Sequence, residues 1–175
     1  SSIIDLGNGV TLTNNGGSDG MLIKYNEEGE TEWSKAIGGD SLDYIESVEE
    51  TTDGGYIVGG YFKSNSIDLG NGVTLTNNGN YGNYDGMLIK YNEEGEAEWA
   101  KAIGGDSYIK SVEEITDGGY IVGGYFNSSS IDLGNGVTLN SHGSEDGMII
   151  KYNEEGDAEL AQAIGGSKYD IVKSI

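Results

Sequence analysis

An all-β fold built from near-identical antiparallel units is what this sequence predicts, and three observations carry the prediction. The first is internal repetition. Asp5, Asp68 and Asp132 each open the phrase DLGNGVTL, Gly20, Gly86 and Gly147 each open GM(L/I)IKYNEEG, and Asp53 and Asp117 each open DGGYIVGGYF. The spacing is about 64 residues, and self-similarity at a fixed period is the mark of a repeat architecture. The second is composition: 31 glycines and no proline among 175 residues suit short strands joined by glycine turns, because glycine weakens helix interiors and accepts left-handed turn geometry. The third is regular placement of Ile, Val, Leu, Tyr and Trp, which argues for a folded chain despite its acidity.

In order, SIIDLGNGVTL at Ser2–Leu12 reads as a tight hairpin. Ile4 and Leu6 share one face of the first arm, Val10 and Leu12 one face of the second, and Gly7-Asn8-Gly9 supplies residues that tolerate positive φ. Met21–Tyr25 is a short apolar strand ended by the turn NEEGE. Thr31–Ile37 (TEWSKAI) places Trp33, Lys35 and Ile37 on one side at period two and reads as a strand; a helix is the alternative, disfavoured because Gly38-Gly39 ends the segment after about two turns. Tyr44–Thr52 is a further strand, polar on one side, and Asp53-Gly54-Gly55 turns it into Tyr56–Phe62. The cycle then restarts. Copy one spans about 3–62, copy two about 66–126 and copy three about 130–175, the last stopping as its next strand begins. Copy two differs by a longer polar loop at Asn77–Tyr84 and a shorter connection between Gly105 and Val112. Insertions confined to loops while strands stay constant are what repeats predict. No linker divides the chain.

Each cycle supplies four strands, SVEETT, YIVGGYF, GMLIKYN and EAEWAKAI, with the small hairpin inserted between the second and third. Four antiparallel strands per unit predict a β-propeller-type array of about three repeats, the hairpin accounting for the surplus length. Such a unit cannot bury both faces alone, so strands apolar on two sides imply stacking on neighbours. A ring closes with roughly four to eight units; two complete units and parts of a third predict an incomplete ring. The alternatives are an excerpt of a longer array, a designed one, or a piece that closes or forms filaments with copies of itself.

The phrases DGGYIVGGYF, SIDLGNGVTL, DGMLIKYNEEGEAEWAKAIGG and SVEE resemble the bacterial β-propeller repeats known as SBBP repeats, found in large secreted and surface proteins. The resemblance covers almost the whole chain. It rests on the aspartate-glycine turns at Asp53–Tyr61 and Asp117–Tyr125, the lysine-aromatic-turn phrases at Lys24–Gly29, Lys90–Gly95 and Lys151–Gly156, and the tryptophans Trp33 and Trp99, with Leu160 in the tryptophan position of copy three. It implies a scaffold with an extracellular or cell-surface address and supplies no catalytic residue.

Function classes narrow by charge. Thirty acidic against nine basic residues give a net charge of −21, which repels nucleic-acid backbones and anionic lipid. The absence of cysteine removes disulfides, thiolate metal sites and a cysteine nucleophile. No apolar run reaches the roughly 20 residues that span a bilayer, so no membrane insertion is expected. The acidic turns Asn26–Glu30, Asn92–Glu96 and Asn153–Asp157 group carboxylates as calcium prefers. Their order is not that of a D-x-[DN]-x-[DN]-G loop, so solvated turns are the expectation and calcium the alternative; no other cofactor is implied. Asp5, Asp68, Asp132, Asp53, Asp117, Asp19, Asp85 and Asp146 read as turn-closing residues.

Glycoside hydrolysis needs two carboxylates in different environments, whereas near-identical repeats supply equal ones. His142, the only histidine, sits in the polar loop LNSHGSED without partners for a triad or metal site. No enzyme is expected. Trp33, Trp99, Tyr56, Tyr120, Tyr61 and Tyr125 read as packing residues. Asn80, Tyr81, Asn83 and Tyr84, in the long loop of copy two, read as a possible contact surface for protein or sugar. The expectation is a non-enzymatic scaffold or binding module of a bacterial secreted or surface protein, contacting protein or glycan or its own copies. The alternative is a lobe of a secreted glycan hydrolase whose catalytic residues lie elsewhere.

Overall fold

The computed structural model describes residues 3–78 and 82–175, and all the regular structure in it is strand. The chain opens with a small hairpin, β1 (Ile3–Asp5) and β2 (Thr11–Thr13), followed by β3 (Gly20–Tyr25) and β4 (Thr31–Ile37). Next come β5 (Asp43–Glu50), β6 (Tyr56–Phe62), a second hairpin of β7 (Ser66–Asp68) and β8 (Thr74–Thr76), β9 (Asp85–Tyr91) and β10 (Ala97–Ile103). The pattern repeats in β11 (Ser107–Glu114), β12 (Tyr120–Phe126), the hairpin β13 (Ser130–Asp132) and β14 (Thr138–Asn140), β15 (Asp146–Tyr152) and β16 (Ala158–Ile164). Thr31–Ile37 is a strand, paired with β3 from Lys24 opposite Trp33 to Gly20 opposite Ile37.

These strands form three principal antiparallel sheets. The first is β3 and β4; the second runs β10-β9-β6-β5; the third runs β11-β12-β15-β16. The sheets therefore straddle the sequence copies: the strand pair that closes one copy opens the next sheet. Each inserted hairpin is a separate two-stranded ribbon, with Ile4 opposite Leu12, Ile67 opposite Leu75 and Ile131 opposite Leu139. Its turn needs left-handed backbone at three successive residues. Gly7, Asn8 and Gly9 have φ of 83, 50 and 77°, a run that glycine and asparagine alone take cheaply. Asp5 Oδ1 fixes the turn by accepting the Gly7 N–H at 2.9 Å.

Two apolar cores lie between the sheets. Leu22 and Ile37 of the first sheet meet Val58, Phe62, Met87, Ile89 and Tyr91 of the second. On its other side the second sheet gives Ile57, Leu88 and Ile103 to a core with Val122, Phe126, Met148 and Ile150 of the third. Strand β9 is buried at every residue, because its alternate side chains serve opposite cores. The hairpins wedge between sheets at the outer strands: Ile67 and Leu75 join the first core, Ile131 and Leu139 the second.

The passage from sheet to sheet is made the same way three times. Asp43 N–H donates to Ser18 O at 2.7 Å, Ser107 N–H to Tyr84 O at 3.1 Å, and Asp170 N–H to Glu145 O at 3.0 Å. At the third passage, residues 170–175 lie against the third sheet, Val172 N–H donating to Gly124 O at 3.2 Å. The shortened connection of copy two has a visible backbone cost. Gly105 and Asp106 both turn left-handed, at φ 83 and 52°, which lets the chain reach β11 with fewer residues.

Candidate functional site

The two ends of the strands carry different chemistry. At one end lie the acidic turns and the aspartate-glycine turns. Asn26 Oδ1 accepts the Glu30 N–H at 2.8 Å, Asn92 Oδ1 the Glu96 N–H at 2.8 Å, and Asn153 Oδ1 the Asp157 N–H at 2.7 Å. The asparagine closes each turn and the glutamates point outward, Glu27, Glu28, Glu93, Glu94, Glu154 and Glu155 all being exposed. Among the described residues no group of three or more His, Cys, Asp and Glu is placed to hold a metal ion.

Beside these turns a lysine is buried. Lys90 Nζ lies 2.9 Å from Asp53 Oδ2 and 3.3 Å from Glu98 Oε2, with only 3% of its side chain exposed, and it also donates to Tyr91 O at 3.2 Å. Burial works to raise the Asp53 pKa, but hydrogen bonds from Lys90, Thr51 and the Gly55 N–H outweigh it and hold the carboxyl down at about 2. Lys151 repeats the pairing with Asp117 at 2.9 Å and Glu159 at 3.0 Å. In both sheets the lysine, held between two carboxylates, ties the aspartate-glycine turn to a strand.

The opposite end is aromatic and amide-rich. Tyr44 and Tyr61 are cross-strand partners in the second sheet, as are Tyr108 and Tyr125 in the third. Stacking the sheets brings the pairs together: ring centroids are 5.2 Å apart for Tyr44–Tyr61, 4.9 Å for Tyr61–Tyr108 and 4.6 Å for Tyr108–Tyr125. Tyr84 joins them, 5.3 Å from Tyr61 and 5.5 Å from Tyr108. Lysines cap the cluster, Lys110 Nζ lying 4.7 Å from the Tyr61 ring centroid and Lys63 Nζ 5.6 Å from that of Tyr84. All five rings are half-buried, each keeping part of its surface in water. Burial, reinforced by the Glu46 carboxylate, pushes the Tyr61 phenol up to about 12, and burial raises Tyr84, Tyr108 and Tyr125 as well, so these four hydroxyls remain neutral donors at physiological pH.

Next to this cluster opens a polar cleft of about 540 Å³, lined by Asn78, Asn83, Asp106, Asn127, Ser128 and Asp132 among others. Tyr108 Oη donates to Asp106 Oδ1 at 2.9 Å, linking cleft and cluster. The sequence-predicted contact residues divide. Asn83 is exposed and lines the cleft; Tyr84 leaves the loop to pack among the tyrosines; Asn80 and Tyr81 lie outside the described residues. His142 is exposed, and its backbone N–H donates to the buried Asp146. Asp19 and Asp85 close their loops in the same manner, accepting N–H groups of Asn15 and Asn78 at 2.6 Å each.

Sequence reading treated Tyr61 and Tyr125 as packing and did not join them to Tyr44 and Tyr108. The available signal was register: YIES and YIKS run antiparallel to GGYF, which sets tyrosine opposite tyrosine. Neither protein-family models nor characterised proteins match this sequence.

Proposed function

We propose that the chain is a non-enzymatic binding module on a β-propeller-type repeat scaffold, of the kind found in bacterial secreted and surface proteins, and that its loop end takes a glycan. The equal stacking of the sheets, two cores made by equivalent residues, supports the propeller-type reading. The observation that carries the binding reading is the cleft of about 540 Å³ walled by amides, carboxylates and hydroxyls beside partly exposed tyrosines. Amide and carboxylate groups match vicinal sugar hydroxyls as paired donors and acceptors, and rigid tyrosines offer contact area at low entropic cost. The cleft carboxylates already accept hydrogen bonds, Asp132 from the Gly134 N–H and Asp106 from the Tyr108 hydroxyl, and the acidic turns sit at the other end, which supports binding over hydrolysis. A glycan array followed by calorimetry tests it. Wild type is expected to bind a subset of neutral oligosaccharides, Asn83→Ala and Asp106→Ala to weaken binding at least about tenfold, and the bound sugar to be recovered uncut. Silence across the array overturns the glycan reading, and cleaved product overturns the non-enzymatic one.

A further inference from the structure

The contact between adjacent sheets is made twice within the molecule, and both halves of it recur on surfaces that face water. In the two internal contacts, Ile37 and Ile103 insert into the next sheet and are 0% and 1% exposed; the equivalent of the third sheet, Ile164, is 41% exposed. Trp33 and Trp99 cover Gly95 and Gly156 of the next sheet, and donate their indole N–H to Glu93 O and Glu154 O at 3.2 and 3.1 Å. Leu160, in the same place on the third sheet, is 57% exposed.

The receiving half shows the same contrast. Met87 and Tyr91 of the second sheet are buried by the first, whereas their equivalents Met21 and Tyr25 are 51% and 53% exposed. A cleft of about 230 Å³ beside Met21 is lined by Ile4, Leu12, Asn14, Asp19 and Ala36. The counterpart residues of the second sheet, Ile67, Leu75 and Met87, lie in one buried core with Ile37 of the first. A Cβ added at Gly29, the equivalent of Gly95 and Gly156, would meet nothing within 4 Å, whereas at those two it would meet the tryptophan of the preceding sheet. The inner part of the third sheet is already covered by residues 170–175, so what it offers is the region of β15 and β16. Those are the strands equivalent to β3 and β4, the two that make up the first sheet.

We propose that a second copy of this chain docks head to tail, seating Ile164 and Leu160 of its third sheet on the Ile4, Leu12, Met21 and Tyr25 face of the first sheet. The inference rests on the repeat-stack part of the proposed function and is independent of glycan binding. The occupant is specified because the molecule contains the complementary surface, with the fit already displayed twice. The contact is heterologous, so each docked copy presents a fresh face for the next, and the product is a closed ring or a filament according to the rotation per copy. It is also weaker than the internal contacts. The leucine side chain has no N–H to donate to the Glu27 carbonyl as the indoles do, and Gln162 stands where Lys101 makes its 3.2 Å pair with Asp157.

Sedimentation and light scattering from low micromolar to millimolar concentration test the proposal. Wild type is expected to grow beyond 18.5 kDa as concentration rises. Met21→Asp and Ile164→Asp, each altering one half of the contact, are expected to stay monomeric alone. Mixed in equal amounts they are expected to form a species of twice the monomer mass and nothing larger, because each retains the half that the other lacks. Leu160→Trp is expected to tighten assembly on the order of tenfold. Far-UV circular dichroism verifies that the variants keep the wild-type β spectrum; Tyr25→Asp replaces Met21→Asp if the latter does not fold. Wild type that stays monomeric at millimolar concentration overturns the proposal. So does assembly indifferent to Ile164→Asp, or a mixture that fails to pair. Loss of assembly with glycan binding retained removes this inference alone, and the converse removes only the glycan reading.

Discussion

Ile37, Ile103 and Ile164 hold one position in three successive sheets, and replacing each in turn by alanine measures what a neighbouring sheet contributes. The substitution deletes three carbon groups, each worth about 0.8 kcal/mol on burial, so about 2.4 kcal/mol of transfer free energy is lost where burial is complete. The cavity left in a packed interior raises the total to about 3–4 kcal/mol. That is the expectation for Ile37 and Ile103, at 0% and 1% exposure. Ile164, with 41% of its surface in water, loses only part of the transfer term and leaves no enclosed cavity, so about 1–1.5 kcal/mol is expected. Urea unfolding at low micromolar concentration, where the slope with denaturant verifies a common reference state, reads the three values. If Ile164→Ala costs as much as Ile103→Ala in monomeric protein, the difference in burial does not carry stability and the stacking account fails.

Acid titration checks the Lys90–Asp53 contact. The carboxyl is held below its ordinary value, at about 2, so its contribution is present above pH ~4 and fades as pH falls through about 2. The shift alone corresponds to about 2.5 kcal/mol. Because the Asp53 side chain is 59% exposed, solvent screening reduces this to about 1 kcal/mol. Asp53→Asn is expected to unfold more easily by that amount at neutral pH, with the difference vanishing near pH 2; a difference constant across that range refutes the account. Gly60→Ala places a methyl group 2.0 Å from Tyr44 O, a backbone atom that cannot move without breaking the β5–β6 pairing. It is expected to cost at least about 3 kcal/mol in thermal unfolding, and a near-neutral result refutes the close approach.

Much of the architecture was legible because strand, turn and repeat signals agree. The period, the Gly-Asn-Gly turns and the alternation of Trp33, Lys35 and Ile37 point to strands, and strands occur at those places. The successive apolar residues Met87, Leu88 and Ile89 in β9 are consistent with a strand covered on both faces, and the strand is buried at every residue. The turn-closing aspartates were also readable, since an Asx side chain two residues before a backbone N–H has a local reason to bond to it. The tyrosine cluster was not. It joins Tyr44, Tyr61, Tyr84, Tyr108 and Tyr125 across two sheets, and its existence depends on stacking geometry that no local pattern encodes. The burial of Lys90 is invisible for the same reason. Lys24 and Lys151 share its phrase, but the first sheet is β3 and β4 alone and, among the described residues, brings no turn like that of Asp53 to Lys24, while the third sheet, which holds Lys151, has only residues 170–175 beyond it among those described. The side chains of Lys24 and Lys151 are 26% and 32% exposed against 3% for Lys90.

The long loop before β9 shows how much variation the plan absorbs. Tyr84, the last residue of that loop, still accepts the Ser107 N–H as Ser18 and Glu145 accept theirs. Extra residues therefore leave the hand-off to the next sheet undisturbed. The outline of the rim can thus drift by insertion while the spine that carries it stays in tune.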